Sequence, residues 1–352
     1  MKLMEKTSPR LAAAKETGRA NALQPGPHTE LVLSFDDNRR AQLVFGQYDQ
    51  NLARMERRLG ISANAVGNHV TLRGPADACD QAKRVLDILR ERAGAGAPIS
   101  VGDVDGAIEE GILQGSLFPN PAEPSRPVFE QVATRKRGPV RARNAAQDLY
   151  LRLLKKNELT FAEGPAGTGK TWLAVGFAVS LLEQGIVERL ILSRPAVAAG
   201  ERLGFLPGDM REKVDPYLRP IYDALNDFMD PRMLERGMQT GMIEVAPLAF
   251  MRGRTLTNAA VILDEAQNAT SVQMKMFLTR LGDRSRMIVT GDPTQSDLLS
   301  GQKSGLSEAV SLLKDIEGVG HVRFRDGDVV RHDLVRKIVG AYEAPRAVTR
   351  PQ

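Results

Sequence analysis

The chain has 352 residues, 42% of them hydrophobic and 5% aromatic, a length that calls for two or three domains rather than one small one. The net charge of +5 and pI near 9.3 suit an anionic partner such as nucleic acid, and equally suit a plain basic surface. A lone cysteine, Cys79, excludes an intramolecular disulfide, and neither a secretory h-region nor a membrane-length apolar run is present, so a cytoplasmic location is expected.

Residues 1–28 mix charges with Ala, Gly and Pro and are expected to form a disordered tail. Residues 29–93 carry the pattern of a small α+β module. Strands are expected at 29–35 and 41–45, and Leu52, Met55 and Leu59 fall on one helical face. Strands at 61–66 and 69–73 flank Gly67-Asn68, a two-residue hairpin signal. Ala78, Ala82, Val85, Leu86 and Leu89 mark an amphipathic helix. Residues 94–139, rich in Gly, Ala and Pro, are expected to be a linker ending in the basic run Arg135, Lys136 and Arg137. From 140 to 345 apolar runs alternate with helical patterns, as in a parallel α/β sheet, and 346–352 form a short tail. The four histidines, His28, His69, His321 and His332, share no zinc-ligand spacing with Cys79.

The most informative segment is Gly164-Pro165-Ala166-Gly167-Thr168-Gly169-Lys170-Thr171. It follows β-prone residues and precedes a helical pattern, which is the strand–loop–helix context that a P-loop requires. The glycines let backbone N–H groups turn toward phosphate oxygens. Lys170 is expected to reach the β- and γ-phosphates of ATP, and the Thr171 hydroxyl to ligate Mg²⁺. The loop lacks Gly-x-Gly-x-x-Gly, which disfavours a dinucleotide.

Further along, Val261-Ile262-Leu263 reads as a buried strand ending in Asp264-Glu265. Carboxylates at the C-terminal end of such a strand sit beside the P-loop. Asp264 is the expected Mg²⁺ holder, and Glu265 the group that orients and polarises the attacking water. A second strand, 286–290, runs into Gly291-Asp292-Pro293-Thr294-Gln295. This resembles the third motif of superfamily 1 helicases, with Asp292 beside the nucleotide and Gln295 sensing the γ-phosphate. Gln147, on an expected helix at 143–156, stands where helicase-like ATPases place a glutamine that reads adenine.

These motifs, together with the 194–220 block that begins Arg194-Pro195 and the late run Asp328-Val329-Val330-Arg331-His332, closely resemble the PhoH-like ATPase family. The 194–220 block is the specific one, since generic P-loop proteins lack it. The resemblance covers more than half the chain. It implies a RecA-like core with a five-stranded parallel sheet and the roles given above for Lys170, Thr171, Asp264, Glu265 and Gln295. It further implies RNA-related work, with a ribosomal-RNA endonuclease as partner. The front module resembles the KH-like domain of the branch that has no nuclease domain. Its Gly46-Gln47-Tyr48-Asp49 puts an acid where a gripping KH loop has its second glycine, leaving RNA gripping and protein docking both open. Strand-end acidic clusters suited to a catalytic metal are missing from 1–143, so no nuclease activity is expected there.

With one Walker A motif, one wall of the nucleotide cleft needs another subunit, so head-to-tail oligomers, a hexamer first among them, are expected. An arginine should complete the site. The candidates are Arg280 and Arg331, with Arg194 facing either the site or nucleic acid. The resulting expectation is a Mg²⁺-dependent ATPase that couples turnover to RNA binding or remodelling. The alternative is a nucleotide-gated assembly factor that docks a protein without unwinding RNA.

Overall fold

A computed structural model describes residues 28–94, 99–115, 129–195, 210–298 and 303–329. The front module opens with β1 (His28–Ser34), α1 (Asn38–Phe45) and α2 (Gln50–Leu59). The hairpin β2 (Ser62–Val66) and β3 (His69–Pro75) follows, then α3 (Ala76–Gly94). The sheet is antiparallel in the order β1-β3-β2.

Two expectations are corrected here. Residues 41–45 are helix, not strand. Asp37 caps α1 by accepting the Arg40 N–H at 2.6 Å, and Ala41, Val44 and Phe45 then share one buried face at helical spacing. The first part of the expected linker is also helix, α4 (Val101–Gly115). Its Val104, Ala107 and Ile108 join Ile99 in the same apolar cluster as Leu52, Leu72 and Leu86. Two ion pairs clamp it: Arg54 to Asp105 at 2.9 Å, and Arg92 to Glu110 at 2.7 Å. Beyond 128 the basic run forms the turn of a hairpin, β4 (Gln131–Thr134) and β5 (Gly138–Arg141).

The larger part alternates strand and helix. In chain order it contains α5 (Ala145–Lys156), β6 (Leu159–Glu163), α6 (Lys170–Glu183) and β7 (Arg189–Arg194). Next come α7 (Met210–Phe228), α8 (Pro231–Gln239), β8 (Ile243–Pro247) and β9 (Ala259–Leu263). The last described elements are α9 (Ser271–Leu278), β10 (Arg286–Gly291), α10 (Gly305–Leu313) and β11 (Val319–Arg323). The sheet is parallel throughout, in the order β11-β6-β10-β9-β7-β8, and its six strands exceed the expected five by one.

Separate apolar clusters cover its two faces. One holds α6, α7 and Phe324; the other holds Phe277, Leu306 and Val289. Both β6 and β9 are buried along their whole length; β9 is an uninterrupted apolar run, while β6 also buries Thr160 and Glu163. Their C-terminal ends, with those of β7 and β10, open on one edge of the sheet, the place where open α/β sheets bind ligands. Among the described residues no helix is long and apolar enough to cross a membrane.

Candidate nucleotide-binding site

The P-loop leaves β6 at Gly164, which adopts φ +139°; a Cβ there would fall 2.5 Å from the Phe324 carbonyl oxygen. Only glycine fits this close crossing of β11's end over the loop. The Gly164 N–H donates to the Gly291 carbonyl at 3.1 Å, which joins the loop to the end of β10. His321 Nε2 lies 2.8 Å from Glu163 Oε2 and adds a side-chain tie to the same spot.

Lys170 begins α6 and is buried. Its ammonium donates to the carbonyls of Gly164 at 2.6 Å and Pro165 at 2.8 Å. It is therefore held inside the curl of the loop, where phosphate oxygens would compete for it. Next in the chain, the Thr171 hydroxyl donates to Asp264 Oδ1 at 2.6 Å. Thr290, at the end of β10, donates to the same oxygen at 2.7 Å. Asp264 is only 5% exposed, so two hydroxyls satisfy its buried charge and fix its direction. A carboxylate beside a hydroxyl at the end of a phosphate loop is an all-oxygen donor set, and it fits Mg²⁺, which takes few protein ligands and keeps its waters.

Glu265 stands in the left-handed region at φ +53°, an uncommon conformation for its residue type. Its Oε1 pairs with Arg194 at 2.9 Å and its Oε2 accepts the amide of Gln267. The Gln267 side chain, 1% exposed, also donates to the Gln295 carbonyl at 3.2 Å and accepts the Asp292 N–H at 3.0 Å. One buried carboxamide thus ties Glu265 to the loop after β10. In that loop Asp292 Oδ1 accepts from the Thr294 hydroxyl at 2.7 Å, while its buried Oδ2 has no partner among the described residues. A cavity of about 280 Å³ brings together Gly167, Gly169, Lys170, Thr171, Trp172, Asp264, Glu265, Asp292 and Gln295.

Behind the cavity, Tyr150 is fully buried, and its hydroxyl has no partner among the described residues. Burial first, and then the Asp264 charge, hold its ionisation well above the ordinary range for tyrosine.

Other expected site residues lie elsewhere. Gln147 is 4% exposed; its amide donates to the Thr168 carbonyl at 2.9 Å, and its carbonyl accepts the Arg143 N–H at 2.8 Å. Both ends are engaged by protein, so in this structure it braces the P-loop. Arg280 lies past the end of α9, at the opposite edge of the sheet from the P-loop. Its guanidinium donates to the carbonyls of Met276 at 3.0 Å and Arg254 at 3.1 Å, the role of a helix C-terminal cap. Within one chain Arg280 therefore has a capping role and does not reach its own phosphate loop. Arg194 belongs to the site through Glu265, while Arg331 lies outside the described residues.

Sequence reasoning missed Gln267, Thr290 and Trp172. Each is immediate to a motif that was read, but its role depends on contacts between strands distant in sequence.

The family described as "PhoH-like protein" matches residues 139–343, more than half of the chain. A PhoH-like protein of Bacillus subtilis (strain 168) is 47% identical over 302 residues, covering 85% of this chain and 93% of that protein. One from Synechocystis sp. is 57% identical over 218 residues, 62% of this chain and 66% of that protein. Protein PhoH of Escherichia coli (strain K12) is 48% identical over 211 residues, 59% of this chain and 60% of that protein. Among solved structures, the Sulfolobus solfataricus SWI2/SNF2 ATPase core in complex with dsDNA is similar at a TM-score of 0.34 and 12% identity. That likeness covers 56% of this chain and 47% of the other, and is too slight to bear on function. With a P-loop ATPase-like core and these relatives, the chain belongs to the PhoH-like protein family.

Proposed function

We propose that this protein binds Mg²⁺-ATP and hydrolyses it, and couples the turnover to RNA binding or remodelling. The observation that supports this most is the meeting of Lys170, the Thr171–Asp264 pair and Glu265 around one cavity. Lys170 and the loop N–H groups hold the β- and γ-phosphates and offset their charge. Thr171 and Asp264 hold Mg²⁺, which when bound neutralises charge on the phosphate oxygens. Glu265 orients a water and accepts its proton as the water oxygen bonds to the γ-phosphorus. The bond from that phosphorus to the β,γ-bridging oxygen breaks, leaving ADP and phosphate. Gln295, through Gln267, links that event to the loop after β10.

The RNA half of the proposal rests on the basic charge and on the family resemblance, which also points to a ribosomal-RNA endonuclease as partner. Oligomers, a hexamer first, remain part of the proposal, with sedimentation velocity as the check. One observation favours the second reading, a nucleotide-gated assembly factor. The Gly46–Asp49 loop carries Asp49 in a left-handed conformation and a 94% exposed Tyr48, a surface better suited to a protein than to a phosphate backbone.

Phosphate release with Mg²⁺-ATP, measured with and without single-stranded RNA, separates the two. Turnover that rises with RNA and falls at least about a hundredfold in Glu265→Gln supports the coupled ATPase. Slow turnover indifferent to RNA favours the assembly factor, and near-normal turnover in Glu265→Gln removes that residue from its role.

A further inference from the structure

Gln147 is bonded to protein at both ends, which favours a second surface for the base of a bound nucleotide. A triphosphate whose terminal phosphates meet Lys170 inside the curl of the loop would leave its nucleoside outside that curl. There Trp172, the only tryptophan of the chain, follows Thr171 and lines the cavity. Its Nε1–H donates to Asp227 at 2.8 Å, and Phe228 packs against its ring with centroids 4.7 Å apart. The guanidinium of Arg137 lies over the indole, 4.9 Å from the ring centroid, and pairs with Asp227 at 3.5 Å.

Arg137 comes from the β4–β5 turn, and its neighbours pin that turn. Lys136 donates to the carbonyls of Asn226 and Met229, and the Arg135 N–H donates to Glu183 Oε2 at 2.8 Å. A flexible cation is thereby held over an aromatic ring, with its side chain still 44% exposed. Such a plane is preorganised for stacking, because guanidinium groups stack on nucleobases as well as on aromatic rings.

We infer that the base of a nucleoside triphosphate stacks on Arg137 beside Trp172, and that the site recognises purines by their flat face instead of by hydrogen bonds to their edge. The inference rests on the nucleotide-binding reading above. It carries a consequence for substrate class: ATP and GTP should bind alike, and pyrimidine triphosphates, with a smaller face, more weakly.

The full-length chain itself supplies the probe, since all tryptophan emission comes from Trp172. Titrations with ATP, GTP, CTP and inorganic tripolyphosphate, each with Mg²⁺, are followed by that emission and by calorimetry. They are run in the unaltered protein, Arg137→Ala and Arg137→Lys. The expected result is ATP and GTP affinities within about threefold of each other, CTP weaker, and quenching by the purine nucleotides. Arg137→Ala should lose about tenfold in ATP and GTP affinity while tripolyphosphate binds as before; Arg137→Lys, which keeps charge without the plane, should recover little.

Unchanged ATP affinity in Arg137→Ala, with an intact melting curve, overturns the inference. So does an equal loss for tripolyphosphate, which would make Arg137 a phosphate contact, and so does ATP binding far more tightly than GTP. If neither tripolyphosphate nor ATP binds the unaltered protein, the nucleotide reading fails and this inference with it. If tripolyphosphate binds and the base adds nothing, the inference alone fails.

Discussion

Replacing Gln267 by methionine tests whether a neutral, buried side chain sets the geometry of the carboxylate proposed to act on water. The two side chains have similar length, so the change removes hydrogen bonds with little change of volume. Three are lost: to Glu265 Oε2, to the Gln295 carbonyl and from the Asp292 N–H. The first two partners can turn to water, since Gln295 is exposed and the Glu265 side chain is 36% exposed. The Asp292 N–H is buried and stays unpaired, which costs about 2 kcal/mol of stability. For a core of this size that is a fall of roughly 4–8 °C in melting temperature. The effect on turnover comes from Glu265, whose carboxylate keeps Arg194 on one oxygen and loses its second anchor. A displacement of about 1 Å at the reacting group costs about a hundredfold in rate, so kcat should drop by between about tenfold and a hundredfold. ATP affinity should stay within about twofold, because the loop carbonyls and hydroxyls that bond Lys170 and Asp264 belong to other residues. Gln267→Glu loses both N–H donors and should be no better than the methionine. Phosphate-release kinetics, calorimetry and a thermal scan together decide the matter. A lower melting temperature with unchanged kcat would make Gln267 purely structural. A loss of ATP affinity in proportion to kcat would place its influence on the phosphate loop.

Lys170→Ala should weaken ATP binding by more than about tenfold, read by calorimetry, because it removes the cation held inside the loop; unchanged affinity would remove Lys170 from that role. Tyr150→Phe deletes a fully buried hydroxyl with no partner among the described residues, so stability should hold or rise by about 1 kcal/mol in urea unfolding. A loss of that size would mean the hydroxyl is bonded. Glu109 on α4 has its ionisation raised, first by burial and then by the nearby charges of Asp328 and Asp105, against the opposing pull of Arg58. Its folded-state pKa lies above the unfolded one, so its stabilising contribution is full below about pH 4.3 and is lost as pH rises through the folded value. Glu109→Gln should therefore be the more stable protein at pH 7, with the difference gone near pH 4; an advantage that persists into acid would show that charge is not its origin.

The parts legible in the sequence share one property: their chemistry is carried by residues adjacent in the chain. A phosphate loop needs glycine, lysine and threonine within eight positions between strand and helix, and β9 advertises its burial by an unbroken apolar run. Gln147 shows where that property ends. Its position matched a base-reading glutamine, but the Arg143 N–H and the Thr168 carbonyl that engage it are brought together only by the fold. The capping role of Arg280 was hidden for the same reason, since the two carbonyls that hold it belong to residues 276 and 254. Helix α4 was hidden by glycine. Gly102, Gly106, Gly111 and Gly115 dilute its helical pattern and invite the reading of a linker. In the structure a Cβ at Gly106 would lie 3.0 Å from the Arg143 Cα, and one at Gly111 would lie 3.3 Å from Val85. These two glycines are there so that helix and neighbour can approach closely, not to let the chain bend. Glycine signals freedom in the P-loop and proximity in α4, and composition alone treats the two uses as one. They separate only when a second segment of the chain is in place to be approached. Gly106→Ala should therefore lower the melting temperature through contact with the Arg143 backbone, even though alanine is the better helix former, and an unchanged or higher value would show that the approach is not tight.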